Sequence, residues 1–208
     1  MANVAISGST GFIGSHLLKR LEEDKHNIEI ISSDMNDWDP IDVTIVYHLG
    51  SPASTSAIHG DPMGVMDAVF NNTRRVMAKT PGAIFVNASS MGANFIDPNV
   101  DSAQMAYNTA KRLSELYLYF SEKVLYNYRI PSVYGPGMHD DSFIAKATTG
   151  IAFKPEDPDK KHYIAHIDDV VEALVNLEDI PTEIITLGEI YEEFSSGRRG
   201  VYRSTPHT

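Results

Sequence analysis

Cysteine is absent from the 208 residues. Disulfide scaffolds, thiol nucleophiles and thiolate metal sites are excluded together, and a reducing, cytoplasmic location is compatible with the lack. Basic residues are in short supply: 17 Lys and Arg stand against 28 Asp and Glu, a formal charge of −11. That sign repels nucleic-acid phosphates and anionic membrane surfaces, so neither is an expected partner. Long apolar runs are missing too. None approaches the ~20 residues of a membrane span, and residues 1–7 lack the basic-then-apolar order of a leader. Eight histidines are present, yet no His-x-x-x-His or His-Glu-x-x-His pattern occurs, so no metal site is expected. What the chain does have is 42% hydrophobic residues, enough to bury one sizeable core, and residues 1–208 read as a single domain.

Val4 to Ile6 form an apolar run closed by Ser7-Gly8, after which Ile13, Leu17, Leu18 and Leu21 share one helical face. Further strands are read at 28–31, 43–49, 83–88 and 125–130, with helices at 62–79, 102–122, 140–149 and 168–177, the last opened by acidic residues that suit its dipole. Such alternation, with near-continuous apolar strands, predicts an α/β fold built on a doubly wound parallel sheet. One interval resists the pattern. Only residues 35–42 separate the second and third strands, and parallel neighbours need about a dozen connecting residues. Either a crossover unit is missing or the two strands are not adjacent. The tail from Ser195, with Gly197-Arg198-Arg199-Gly200, reads as a frayed terminus.

Three clusters carry chemistry. Gly8-Ser9-Thr10-Gly11-Phe12-Ile13-Gly14 lies between the first strand and first helix, where glycines allow a tight turn and let a pyrophosphate approach the helix N-terminus. Asp34 ends the second strand 20 residues after Gly14, the place of a carboxylate that binds an adenosine ribose and repels a 2′-phosphate, so NAD is favoured over NADP. Tyr107 and Lys111 stand at i and i+4 and emerge from one helix face. A lysine cation with an oxidised nicotinamide nearby would draw the phenol from its usual value of about 10 towards neutrality and make it a base. Ser89 and Ser90 end a strand at the sheet edge where such folds bind ligands, so a hydroxyl could orient the reacting group there. His139 reads as part of a loop, and His166 as a tie between a strand end and the next helix.

Taken in order, these parts resemble the extended short-chain dehydrogenase/reductase family, in particular its NAD-dependent nucleotide-sugar epimerases and dehydratases. The resemblance runs from about Val4 to Leu187 and adds His48-Leu49, Pro52-Ala53-Ser54, Glu115, Arg129 through Gly137, and His166 through Val170. It implies a Rossmann-like sheet with a reduced C-terminal substrate-binding portion, to which 132–166 and 178–208 would contribute a small lobe. It also implies that Gly8, Gly11, Phe12, Ile13, Gly14, Asp34, Leu49, Gly50, Ser89, Ile130 and Pro131 would line NAD. Ser90, Tyr107 and Lys111 would be catalytic, with Tyr107 and Lys111 also touching the cofactor. Ser90, Met91, Ser132 and Val133 would face a nucleotide sugar, a UDP-sugar first of all.

The departures bear on which reaction is run. Ser132 stands where asparagine is common, and little chain follows Val170. The Pro52-Ala53-Ser54 run looks most like members that decarboxylate UDP-glucuronate, but those members and the 4,6-dehydratases carry a glutamate at the position of Gly92. Without that carboxyl group, proton removal at C5 lacks its agent. Epimerisation at C4 is therefore the expected activity. Decarboxylation, dehydration or ketoreduction at the same site, and a non-catalytic NAD-binding partner subunit, are the alternatives. The helix at 62–79 and the Tyr107 helix, with Leu113, Leu116, Tyr117 and Phe120 on its other faces, resemble the pair that family members join across a two-fold axis, so a homodimer through a four-helix bundle is expected.

Overall fold

A computed structural model of the protein describes residues 1–32, 38–94, 101–121, 123–149, 155 and 157–200. Strands β1 (Asn3–Ser7), β2 (Asn27–Ile31), β3 (Ile45–His48), β4 (Ile84–Ser90) and β5 (Leu125–Ile130) form one sheet in the order β2-β1-β3-β4-β5, parallel throughout. Side chains alternate across it, as a period of two requires. Val4 and Ile6 of β1, Tyr47 of β3, and Val86 and Ala88 of β4 pack on helices α1 (Phe12–Glu23) and α6 (Ile167–Asn176). Ala5, Val46 and Phe85 point the other way, with Val76 of α3 (Pro62–Lys79) and Leu118 of α4 (Ser102–Tyr119). Helices thus cover both faces, the doubly wound arrangement.

The short interval after β2 is resolved by the strand order, because β1 lies between β2 and β3. Of the connection, residues 38–44 are described. Trp38, the chain's one tryptophan, packs on the core under α3 and α4. Its indole N–H donates to Glu29 at 3.1 Å, and the Lys79 ammonium bonds its carbonyl. One large aromatic thus covers sheet that would otherwise need a crossover helix.

A second sheet, β6 (Ser132–Tyr134), β7 (Lys161–His166) and β8 (Glu183–Thr186), continues from β5. β6 and β7 are parallel, β7 and β8 antiparallel, and α5 (Phe143–Thr148) and α7 (Leu187–Ser195) pack with it around Ile144, Ile164, Ile185, Ile190 and Phe194. The sequence reading did not find these three strands, nor α7, nor the short α2 (Thr55–Gly60). The strands are brief and mixed in polarity, and β7 opens Lys-His-Tyr. Helices read at 140–149 and 102–122 are shorter, ending at Thr148 and Tyr119. The frayed tail is corrected as far as Gly200: Arg199 pairs with Glu183 at 2.6 Å and Glu193 at 2.7 Å, partners that sequence spacing does not reveal. Residues 201–208 lie outside the described residues. No described helix is long and apolar enough to cross a membrane, and no cluster of three or more metal-ligating side chains occurs among the described residues.

Burial pushes the Tyr47 and Tyr128 phenols in the core up to about 12. Below pH ~10 the folded and unfolded chains both keep these protons; above it the unfolded chain releases them while the folded chain holds them until about 12. Their contribution to stability is therefore lost as pH rises through that window. Urea unfolding at stepped pH is expected to give a falling free energy from pH 10 upward, with a shallower fall in Tyr47→Phe; an unchanged slope would contradict the assignment.

Candidate functional site

The C-terminal ends of β1, β3, β4 and β5 open onto a cleft of about 400 Å³, the edge at which open parallel sheets take ligands. At one end lies the glycine turn. Gly8 has φ +74°, and a Cβ there would sit 2.7 Å from the Gly50 nitrogen; a Cβ at Gly14 would sit 2.0 Å from the Gly8 carbonyl oxygen. Neither position accepts a side chain. Gly11 differs: its Cβ would meet only that same oxygen, at 3.3 Å. It caps α1 without a side-chain hydrogen bond, so the first amides of α1 are left to an anion in the cleft.

At the other end stand Tyr107 and Lys111, 8% and 6% exposed. The α4 helix that carries them begins at Asp101, whose carboxylate accepts from the Ala103 and Gln104 amides at 2.8 and 3.1 Å. The Lys111 ammonium donates to the Ala88 carbonyl at 2.7 Å and to Ser51 Oγ at 2.8 Å, and lies 5.7 Å from the centre of the Tyr107 ring. Glu115, one turn further on, accepts from Ser89 Oγ at 2.6 Å and from Arg129 at 2.9 and 2.7 Å. Burial would raise its carboxyl, but the bonds from Arg129, Ser89 and Arg112 hold it below its ordinary value. This cluster pins α4 to β4 and β5.

In the chain without its cofactor, burial pushes the Tyr107 phenol up to about 12, against a smaller opposing pull from a Ser90 hydrogen bond. Lys111, meanwhile, is pushed down to about 8 by burial, with Glu115 opposing. The ammonium spends its bonds on Ala88 and Ser51 and faces the ring, so in the chain alone desolvation wins.

Of the residues expected here, Gly8, Gly11, Phe12, Ile13, Gly14 and Leu49 line the cleft on the glycine side. Ser89, Ser90, Tyr107, Lys111, Ile130, Pro131, Ser132 and Val133 line the remainder. Gly50 backs Gly8 from outside the lining. Met91 opens a 3₁₀ turn (Met91–Asn94) and is not part of the wall. Asp34 lies outside the described residues. Ser51, Ile58 and Gln104 were missed, and His139, read as part of a loop, reaches the cleft too. Gln104 was findable, being three residues before Tyr107 on the same helix face; Ile58 sits on a six-residue helix with no periodic signal. Ser132 Oγ lies 2.7 Å from His162 Nε2. A Cβ at Gly92 would fall 2.3 Å from Asn108 Oδ1, an oxygen that also accepts from Gln104 Nε2 at 2.9 Å.

A model of the NAD dependent epimerase/dehydratase family matches residues 4–185. The chain is 26% identical over 223 aligned positions to UDP-glucuronic acid decarboxylase 3 of Arabidopsis thaliana, covering 84% of this chain and 65% of that protein. It therefore spans 65% of the length of the curated relatives it matches first. Among solved structures, UDP-glucose 4-epimerase of Thermotoga maritima superposes with a TM-score of 0.73 at 18% identity, covering 93% of this chain and 82% of that one. UDP-N-acetylglucosamine 4-epimerase of Methanobrevibacter ruminantium M1 superposes with a TM-score of 0.76 at 20% identity, covering 94% and 81%.

NAD, the cofactor of that family, fits the residues present: the turn admits no side chain at Gly8 or Gly14, and Gly11 leaves the α1 amides open to a pyrophosphate. Two alanine variants separate fold from cofactor. Gly14→Ala should lose about 1–3 kcal/mol of stability, since the Cβ meets backbone that must shift. Gly11→Ala should keep its melting temperature and lose at least tenfold in NAD affinity by fluorescence titration. Equal NAD affinity in Gly11→Ala and the native chain would refute this reading of the turn.

Proposed function

Because the chain belongs to the NAD-dependent epimerase/dehydratase family, we propose that the cleft takes NAD and a nucleotide sugar, a UDP-sugar in the first instance, and epimerises the sugar at C4. The observation that carries this reading is the meeting of Tyr107, Ser90 and Lys111 at one end of a cleft whose other end is the glycine turn. Tyr107 is the group that takes the proton of the C4 hydroxyl and returns it, and Ser90, hydrogen-bonded to it, orients that hydroxyl. NAD, when bound, supplies a hydride acceptor and donor and, in its oxidised form, the positive charge that a phenol near 12 requires. Lys111 stands one turn away to hold the cofactor ribose. Ser132, with His162 fixing its hydroxyl, would face the sugar where an asparagine would otherwise stand.

Decarboxylation of UDP-glucuronate is the second reading. It is favoured by the names of the curated relatives and by Ala53 and Ser54, which line the cleft. Against it stands Gly92, whose missing side chain is replaced in space by the Asn108 carboxamide. Loss of CO2 from a 4-keto glucuronate breaks the C5–C6 bond and leaves an enolate that must take a proton at C5, and an amide is not an acid strong enough to supply it. The full chain with NAD should convert UDP-glucose or UDP-N-acetylglucosamine to its C4 epimer and release no CO2 from UDP-glucuronate. Tyr107→Phe should fall by 10²-fold or more. Release of CO2 would establish the second reading; NAD binding with no turnover of any of these sugars would leave a binding role instead.

The same reading includes a two-fold dimer through α3 and α4. Leu113, Leu116 and Tyr117 remain 36–39% exposed and Phe120 76%, while Phe70 of α3 and Tyr117 of α4 stack edge to face at 5.9 Å on that outer side. Self-association would cover these residues and stiffen the helix that bears Tyr107. Sedimentation at micromolar concentration should give twice the mass of one chain, and Leu116→Glu should halve it; a native species of one chain's mass would refute the dimer.

A further inference from the structure

Lys111 is nearly buried, yet the turn after β3 reaches across to it. Leu49, Gly50 and Ser51 form that turn, closed by a bond from the Ser51 amide to the Leu49 carbonyl at 3.0 Å. Its anchor is a chain of polar bonds with one consistent direction. Thr73 Oγ1 donates to the Val69 carbonyl at 2.8 Å and so accepts from His48 Nε2 at 3.1 Å. His48 Nδ1 is left as the acceptor of the Ser7 hydroxyl at 2.8 Å, and Ser7 Oγ accepts the Gly50 amide at 3.1 Å. Every donor in the chain is used once. Burial, reinforced by the Lys111 charge, pushes the imidazole down to about 3, so this chain of bonds does not change with pH near neutrality. The Ser51 hydroxyl is thereby held on the cleft wall, 2.8 Å from the Lys111 ammonium.

We propose that Ser51 is a positioning residue: its hydroxyl oxygen holds the Lys111 ammonium beside Tyr107 and favours the charged over the neutral amine. The part Lys111 plays towards cofactor and sugar rests on the proposed function above; its dependence on Ser51 does not. The groups that face the ammonium are few. Tyr107 and Glu115 lie on its own helix, His48 stands on β3, and the Ala88 carbonyl comes from β4. Arg129 of β5 faces Glu115. Among the described residues the cleft wall holds no other charged side chain, and His139 is its remaining titratable group. Glu115 is occupied by two arginines and Ser89, so Ser51 and Ala88 are the only neutral acceptors the described residues place within hydrogen-bond distance of the ammonium.

The test uses the full chain labelled with ¹³C at lysine Cε, without added cofactor, and follows each lysine by NMR against pH. Lys111→Met, which removes the signal, assigns it. Lys111 should titrate near 8 in the native chain. In Ser51→Ala its midpoint should drop by about one unit, since a bond to the charged form is lost, while Ser51→Thr, which keeps the oxygen, should return it. Ser51 is half-exposed at a turn, so neither substitution threatens the core. A native midpoint in Ser51→Ala, or an alanine-like midpoint in Ser51→Thr, would overturn the proposal. Where C4 epimerisation is measured, the alkaline limb of its pH profile should move with the NMR midpoint. Absence of turnover would count against the proposed function and leave the titration result standing.

Discussion

Removing an ammonium group from water costs several kcal/mol even after the surroundings relax, and the C-terminal edge of the main sheet is organised around meeting that cost for Lys111. Its nitrogen needs acceptors that cannot move away. One is the Ala88 carbonyl, fixed in β4; the other is Ser51, fixed by the turn after β3. Glu115 supplies opposite charge from the same helix, but only because Arg129, Arg112 and Ser89 keep that carboxylate ionised and in place. Three strand ends and one helix are thus tied to a single cation, and the Tyr107 phenol inherits its position from the same helix. Loosening any of these ties would change where the phenol sits before it changed whether the sheet forms, because the sheet's own core lies below them around Phe85, Val46 and Ile6.

That layering explains which parts were legible in the sequence. The glycine turn announces itself because the close approach of Gly8 to Gly50, and of Gly14 to Gly8, leaves no alternative residue type. Helix α3 runs from Pro62 to Lys79, as read, and its start carries a recognisable cap, Asp61 accepting from the Gly64 amide ahead of Pro62 at the first turn. Tyr107 and Lys111 stand at helical spacing, but that spacing pointed to a site only beside the Ser89-Ser90 strand end and the glycine turn. Ser51 was not, since its partner lies 60 residues away and a serine in a turn has ordinary local reasons to be there. Strands β6 to β8 were missed because each gains its stability from α5 and α7 packing over it rather than from its own pattern.

The reduced connection between β2 and β3 shows how a sheet can be shortened without exposing its core. A crossover helix contributes an apolar face, and here Trp38 with Val43 contributes a smaller one. The exchange is local because β2 is an edge strand, so nothing beyond it needs support. The glycine turn, β3 and β4 keep their mutual distances through the Ser7, His48 and Thr73 bonds, none of which passes through the shortened region.

The choice among reactions then turns on a small volume beside Ser90. A phenol, a hydroxyl and an ammonium in this arrangement suit any chemistry that begins by removing a proton from a sugar hydroxyl. What distinguishes the outcomes is whether a second acid or base waits on the far side of the reacting carbon. Gly92 and Asn108 are the residues that bear on this in the proposed reading. The glycine presents no group of its own, and the carboxamide that occupies its place is held by Gln104 and cannot exchange a proton. A reaction that needs only one proton carrier and returns its substrate to the starting oxidation level is compatible with such a wall. A reaction that must also move a proton at the neighbouring carbon needs a second group for that proton, and Gly92 does not bring one.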